Sequence, residues 1–134
     1  MGDYQIPDDC RYSREDEWAR QEGDVVTIGV TDYAQDQLGD IVFVELPEVG
    51  SAAIAGEAFG VIESVKAVSD LFAPISGAIS AVNETLVDEP ESVNQDCYGK
   101  GWILQIRPSD PSELEQLMAS SGYHRYVAER ADAE

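Results

Sequence analysis

Alternating apolar and polar positions recur in short runs along the chain, separated by Gly, Pro, Asp and Ser, and this rhythm predicts strands rather than long helices. The runs fall at Glu17 to Arg20, Asp24 to Val30, Asp40 to Leu46, Ala58 to Val65, Val68 to Ala73, Gly77 to Val82 and Trp102 to Arg107. Between the second and third, residues 31–39 read as one short helix, with Thr31 as N-cap and Gly39 just past its end. After the last strand, Asp110-Pro111-Ser112-Glu113 supplies a cap, a proline at the first helical position and an acid at the third. Leu114, Leu117 and Met118 then share one face. Ser121-Gly122 predicts a break, and Tyr123 to Arg130 a final amphipathic helix, so that C-terminal helices occupy 110–130. Residues 1–11 read as a flexible lead segment that includes Cys10.

Two short matches suggest a duplicated β unit. Pro47-Glu48-Val49-Gly50 resembles Pro74-Ile75-Ser76-Gly77, and Glu63-Ser64-Val65-Lys66 resembles Glu91-Ser92-Val93-Asn94, in nearly one register. On this reading Lys66 stands at one hairpin tip and Asn94 at its counterpart, within a pseudo-symmetric sandwich. Only one half then displays an amine.

With 134 residues the length fits one domain spanning 1–134. Charge narrows the function more sharply. Lys66 and Lys100 are the two lysines, and with the arginines they make 8 basic residues against 27 acidic ones, a net charge of −19. Such a field repels phosphate backbones and anionic membrane surfaces, which argues against nucleic-acid or membrane binding. The scarcity of lysine amid abundant Asp and Glu suggests a halophilic protein from a salt-rich cytoplasm, where screening lowers self-repulsion. No run approaches the roughly 18 apolar residues of a membrane span, and the acidic start is unlike a signal peptide, so a cytoplasmic location is expected. Cys10 and Cys97 lie far apart with no CxxC motif, which suits free thiols.

Candidate chemistry centres on Lys66. It falls between the apolar runs Ala58–Ile62 and Val68–Ile75, at the tip of a hairpin where an enzyme can reach it. His124 is the sole histidine and sits in the last helix, so no Ser/His or Cys/His centre is expected. Asp32, Asp36 and Asp40 lack the glycine-centred loop of a calcium site and read as a solvated face.

The blocks Gly29-Val30-Thr31-Asp32-Tyr33-Ala34-Gln35, Leu38 to Pro47, Phe59 to Ala67, Ala73-Pro74-Ile75-Ser76-Gly77, Tyr98 to Trp102 and Ser109 to Leu114 occur in order along nearly the whole chain. In them the chain resembles the H proteins of the glycine cleavage system, lipoyl-carrying members of the biotinyl/lipoyl carrier family. The resemblance implies a mainly β hybrid barrel-sandwich of two small antiparallel sheets. It also implies (R)-lipoate in amide linkage on Lys66, within the attachment motif Glu63, Ser64, Val65 and Ala67. The implied role is non-catalytic: the arm takes an aminomethyl group from glycine at a pyridoxal-phosphate decarboxylase (P protein) and passes it to a folate-dependent aminomethyltransferase (T protein). A dihydrolipoyl dehydrogenase (L protein) reoxidises the arm, while a lipoate ligase, or an octanoyltransferase with lipoyl synthase, installs it.

The loaded arm is expected to fold into a surface cleft with an acidic neighbour. Glu15, Glu17, Asp32 and Asp70 are the available carboxylates, and Tyr33 is the preferred aromatic contact. Two alternatives share the fold. One is a relay that passes lipoate to 2-oxoacid dehydrogenases; the other is a biotin carrier, disfavoured because Val65 and Ala67 flank the lysine where biotinyl domains place methionines. Asp16 departs from a common His, and Cys97 from a common Pro.

Overall fold

The computed structural model describes residues 4–133. Nine strands form two antiparallel sheets: β1 (Arg11–Tyr12), β2 (Glu17–Glu22), β3 (Val25–Val30), β4 (Ile41–Glu45), β5 (Ala52–Ala53), β6 (Ala58–Ser64), β7 (Val68–Phe72), β8 (Gly77–Val82) and β9 (Leu104–Pro108). The larger sheet runs β1-β2-β3-β9-β8-β5 and the smaller β4-β6-β7. This is the expected hybrid barrel-sandwich. Ile28, Ile79, Leu104 and Ile106 of the larger sheet and Val44, Ile62 and Leu71 of the smaller belong to one buried cluster, each 2% exposed or less. Burying such a side chain stabilises the fold by roughly 1.5–3 kcal/mol before chain entropy is counted.

A second cluster is aromatic. Cys10, Tyr12, Trp18, Tyr33, Tyr123 and Val127 pack together, with Tyr12 and Tyr123 stacked at 4.6 Å between ring centres. Trp18 is fully buried, and its indole N–H donates to the Cys97 carbonyl at 3.0 Å. Directly across the ladder stands Gly29, where a Cβ would lie 2.7 Å from the indole ring. Only glycine leaves room for the tryptophan.

The short helix α1 (Asp32–Leu38) forms as expected. Thr31 Oγ1 accepts from the Ala34 N–H at 3.2 Å, and Gly39 closes the helix at φ 82°, its N–H bonded to the Gln35 carbonyl.

Four expectations change. Residues 4–11 do not trail free: Tyr4 packs edge-on against Tyr33 and donates to Asp36, and Cys10 is only 3% exposed. Glu91 to Asn94 forms no second hairpin, because Ser92–Gln95 is a helical turn, α3, following α2 (Thr85–Asp88). Asn94 is therefore not a counterpart of Lys66. Residues Pro111–Gln116 adopt a 3₁₀ rather than an α conformation, beginning at the predicted Asp110 cap, whose carboxylate accepts from the Ser112 N–H. Finally, the last helix α4 runs Ser120–Ala133, so Ser121 and Gly122 lie in its first turn and the break falls at residues 117–119.

Candidate functional site

Lys66 lies on the connection between β6 and β7, as the pattern predicts, and its side chain is exposed. The tip is tightly organised around Ser64, which is buried. Ser64 Oγ accepts from the backbone N–H groups of Lys66 at 3.2 Å and Ala67 at 3.0 Å, while the Ser64 N–H donates to the Ala67 carbonyl at 2.8 Å. The Val65 N–H donates to the Asp40 carbonyl at 3.0 Å and ties the tip to the start of β4. Within the attachment motif, then, Ser64 shapes the turn, and Val65, Lys66 and Ala67 are presented to solvent. Glu63 pairs across the hairpin with Val68 and across β4 with Phe43.

The Lys66 stem leans over the end of α1. A Cβ at Gly39 would lie 3.5 Å from Lys66 Cε, an ordinary contact distance that places the lysine stem against the end of α1. Asn94 holds this platform from behind. Its Oδ1 accepts from the Ile41 N–H at 2.8 Å, and its Nδ2 donates to Gln35 Oε1 at 3.0 Å and the Gly39 carbonyl at 2.9 Å.

Next to Leu38, the residue before Gly39, opens a cleft of about 170 Å³. Val30, Ala34, Leu38, Ile62 and Leu71 supply apolar lining, and Glu15, Asp16, Glu17, Asp70 and Arg130 supply charge. Tyr33 also lines it, 4% exposed. Of the carboxylates considered from sequence, Glu15, Glu17 and Asp70 come together here. Asp32 does not: it faces the N-terminal segment, accepting from the Gln5 N–H at 3.0 Å and from Gln35 Nε2 at 2.8 Å.

Glu17 has the most distinctive environment. It is 2% exposed; the Ser13 hydroxyl donates to one oxygen at 2.7 Å and the Phe72 N–H to the other at 3.1 Å. Burial pushes its carboxyl up to about 8, the Ser13 and Phe72 bonds oppose that rise, and Glu15 and Asp16 add repulsion. The Glu17 carboxyl thus binds its proton more tightly than an exposed glutamate does.

Asp16 and Arg130 are residues of this site that sequence reasoning did not single out. Arg130 binds Asp16 in a two-pronged pair at 2.7 and 3.0 Å, and its guanidinium lies 4.7 Å from the ring centres of both Tyr33 and Tyr126. Asp16 carried one signal, its departure from a common His. Arg130 carried none, because 114 positions separate the partners.

Other chemistries find no support in the arrangement. Burial pushes both Cys10 and Cys97 up to about 12, which leaves two unreactive thiols, both free. Asn83, start of a glycosylation-type triplet, is buried, and its amide donates to the Lys100 and Trp102 carbonyls. Among the described residues no His, Cys, Asp or Glu cluster could hold a metal, and no helix is long and apolar enough to cross a membrane.

The fold and the displayed amine define a class: a two-sheet β carrier-type domain that presents one lysine on a tight hairpin beside an acidic cleft. The family model for the glycine cleavage H-protein matches residues 10–130, and the chain belongs to that family. Relatives agree in name and extent. A glycine cleavage system H protein of Anaeromyxobacter sp. (strain K) is 55% identical over 126 residues, covering 94% of this chain and 98% of the relative. A probable glycine cleavage system H protein of Haloarcula marismortui is 51% identical, covering 92% and 98%. The crystal structure of a glycine cleavage system H protein from Mycobacterium marinum superposes with a TM-score of 0.83 at 40% identity, covering 94% of this chain and 99% of that one.

Proposed function

We propose that the chain is a lipoyl carrier of glycine cleavage, a single domain in which Lys66 holds (R)-lipoate in amide linkage. The observation that carries the reading is the Ser64-organised tip, which presents Lys66 beside an apolar cleft floored by a buried acid. The residues present fit the group. The lysine is free to be acylated, its stem already leans toward α1, and the cleft beside α1 offers apolar walls for a hydrocarbon arm and carboxyl groups for a cationic end. When bound, the lipoyl group supplies a disulfide that accepts the aminomethyl group of glycine and gives it up again.

The protein's own part is presentation and protection. Acylation converts the Lys66 ammonium to a neutral amide, and the hydrogen-bonded tip anchors an arm roughly 10–15 Å long at ordinary bond lengths. Tethering replaces bimolecular encounters by local ones at about millimolar effective concentration. No acid or base of this chain is needed for the chemistry, so the chain is a non-catalytic subunit. Its partners are the glycine decarboxylase, the aminomethyltransferase, the dihydrolipoyl dehydrogenase and the enzymes that install lipoate, all in the cytoplasm.

Within the cleft, Glu17 and Asp70 face a cationic arm end and Tyr33 walls it, while Asp32 has no part. The experiment is direct. Lipoylated protein mixed with the decarboxylase and labelled glycine should acquire label on the arm, and Lys66→Arg should abolish uptake while melting at the wild-type temperature. A labelled Lys66→Arg protein would overturn the assignment, and lipoate passed to a 2-oxoacid dehydrogenase without any uptake of label would favour a relay.

A further inference from the structure

The cleft contains four carboxyl-bearing residues, Glu15, Asp16, Glu17 and Asp70, and a single cation, Arg130. Three of the acids are consecutive, and yet their surroundings differ. Glu15 and Asp70 are exposed. Glu17 is buried against Ser13 and the Phe72 N–H. Asp16 is held in a left-handed backbone conformation at φ 70°, which an Asp tolerates better than most residues. Its side chain is 13% exposed and already fully engaged: Arg130 takes both oxygens, and the Tyr123 hydroxyl donates to Oδ1 at 2.9 Å.

Arg130 comes from α4, and Asp16 from the turn between β1 and β2. The same turn is closed by Asp16 N–H to Ser13 carbonyl at 3.2 Å and joined to α1 by Thr31 N–H to Asp16 carbonyl at 3.0 Å. Ser13 is also the residue that grips Glu17, through its hydroxyl and through its own N–H, which donates to the Glu17 carbonyl at 2.9 Å. The guanidinium, over the rings of both Tyr33 and Tyr126, is therefore linked to Glu17 through one shared turn.

Without Arg130, a mostly buried Asp16 carboxylate would stand unpaired beside Glu17. It would repel the ionised form of Glu17 and compete with it for any arriving cation.

We propose that Arg130 is a positioning residue for the arm cleft: by occupying Asp16 it keeps that carboxylate from repelling ionised Glu17 and from competing with Glu17 and Asp70 for a cationic arm end. This rests on the carrier reading above and gives the C-terminal helix a role in it. The groups facing Glu17 are Ser13, Glu15 and Asp16 on its own segment, Asp70 and the Phe72 N–H from β7, Tyr33 from α1 and Arg130 from α4.

Two measurements test it. In the unmodified chain, the Glu17 side-chain carboxyl is titrated by carbon-13 NMR in wild type, Arg130→Gln, Arg130→Lys and the double variant Asp16→Asn/Arg130→Gln. Arg130→Gln should raise the Glu17 midpoint by about one unit, the effect of one uncompensated neighbouring charge. Arg130→Lys, which keeps the charge, and the double variant, which removes both, should return it to within about 0.3 unit of wild type.

In the lipoylated, loaded chain, water converts the aminomethyl thioether and its ammonium to thiol, formaldehyde and ammonium ion. Arg130→Gln should shorten the half-life of that load roughly tenfold, with lipoylation of Lys66 unchanged. If Arg130→Gln does not fold, Asp16→Asn, which keeps the backbone preference, removes a neighbouring carboxylate and leaves the guanidinium without its partner, replaces it in the titration and should lower the Glu17 midpoint by about one unit, an unmoved midpoint again overturning the inference.

An unmoved Glu17 midpoint in Arg130→Gln, or loaded wild type and variant decaying alike, overturns the inference alone. A wild-type chain that takes up no load overturns the carrier reading and the inference together, and the cofactor-free titration tells the two failures apart.

Discussion

Glu17 concentrates the chemistry of the cleft in one side chain. Its carboxyl lies near 8 in the folded chain against 4.5 when free, so between those values the folded state binds a proton that the unfolded state does not. The protonated acid's contribution is complete below pH 4.5 and is lost as pH rises through 8. Stability should thus fall with rising pH across about 5 to 8, by up to about 1.4 kcal/mol per unit from this group. Denaturant melts at several pH values check it, and Glu17→Gln, which cannot ionise, should flatten the slope. A slope equal in both proteins would remove Glu17 as its source. Gly29 makes a steric rather than an electrostatic case: Gly29→Ala pushes a methyl into the buried Trp18 ring and should cost about 1–3 kcal/mol, measured as a shift in the denaturation midpoint.

Elements carry the display of Lys66. Asn94 of α3 joins the end of α1 to the first residue of β4, and the buried Ile41 N–H depends on it. Asn94→Ala should lower stability by about 1–3 kcal/mol, since a buried donor is left without a partner, and hydrogen exchange at Ile41 should quicken while that at Ile106 in β9 does not. Here the limits of sequence reading show clearly. Apolar runs bounded by turn residues located β2, β3, β4, β6, β7, β8 and β9 to within about two residues: β6 alternates between more and less buried positions, while β3 is buried almost throughout and reads as one apolar run. The two-residue β1 and β5 are too short to alternate. The turns α2 and α3 were hidden because Leu86-Val87 and Val93 are isolated apolar positions among acids, proline and serine, and the likeness of Glu91 to Asn94 to the Lys66 motif suggested a hairpin instead. Lys66 was legible, since its turn is local in sequence. Arg130 was not, as its role exists only once α4 has packed against the β1–β2 turn.

The whole molecule is dominated by charge. With 27 acidic residues, the described chain contains two ion pairs, Arg20 with Glu22 and Arg130 with Asp16, so most carboxylates face solvent or one another without a cation. Self-repulsion of this size is relieved by screening. The melting temperature should climb steadily from low to molar potassium chloride, and a flat profile would reject adaptation to high salt while leaving the carrier reading intact.

Everything proposed for the chain passes through one amine. Peptide mass spectrometry on protein from its native host is the decisive check: a lipoyl group on Lys66 and an unmodified Lys100 are expected. Lipoate on Lys100, biotin on either lysine, or a Lys66 left bare in cells actively cleaving glycine would refute the carrier reading.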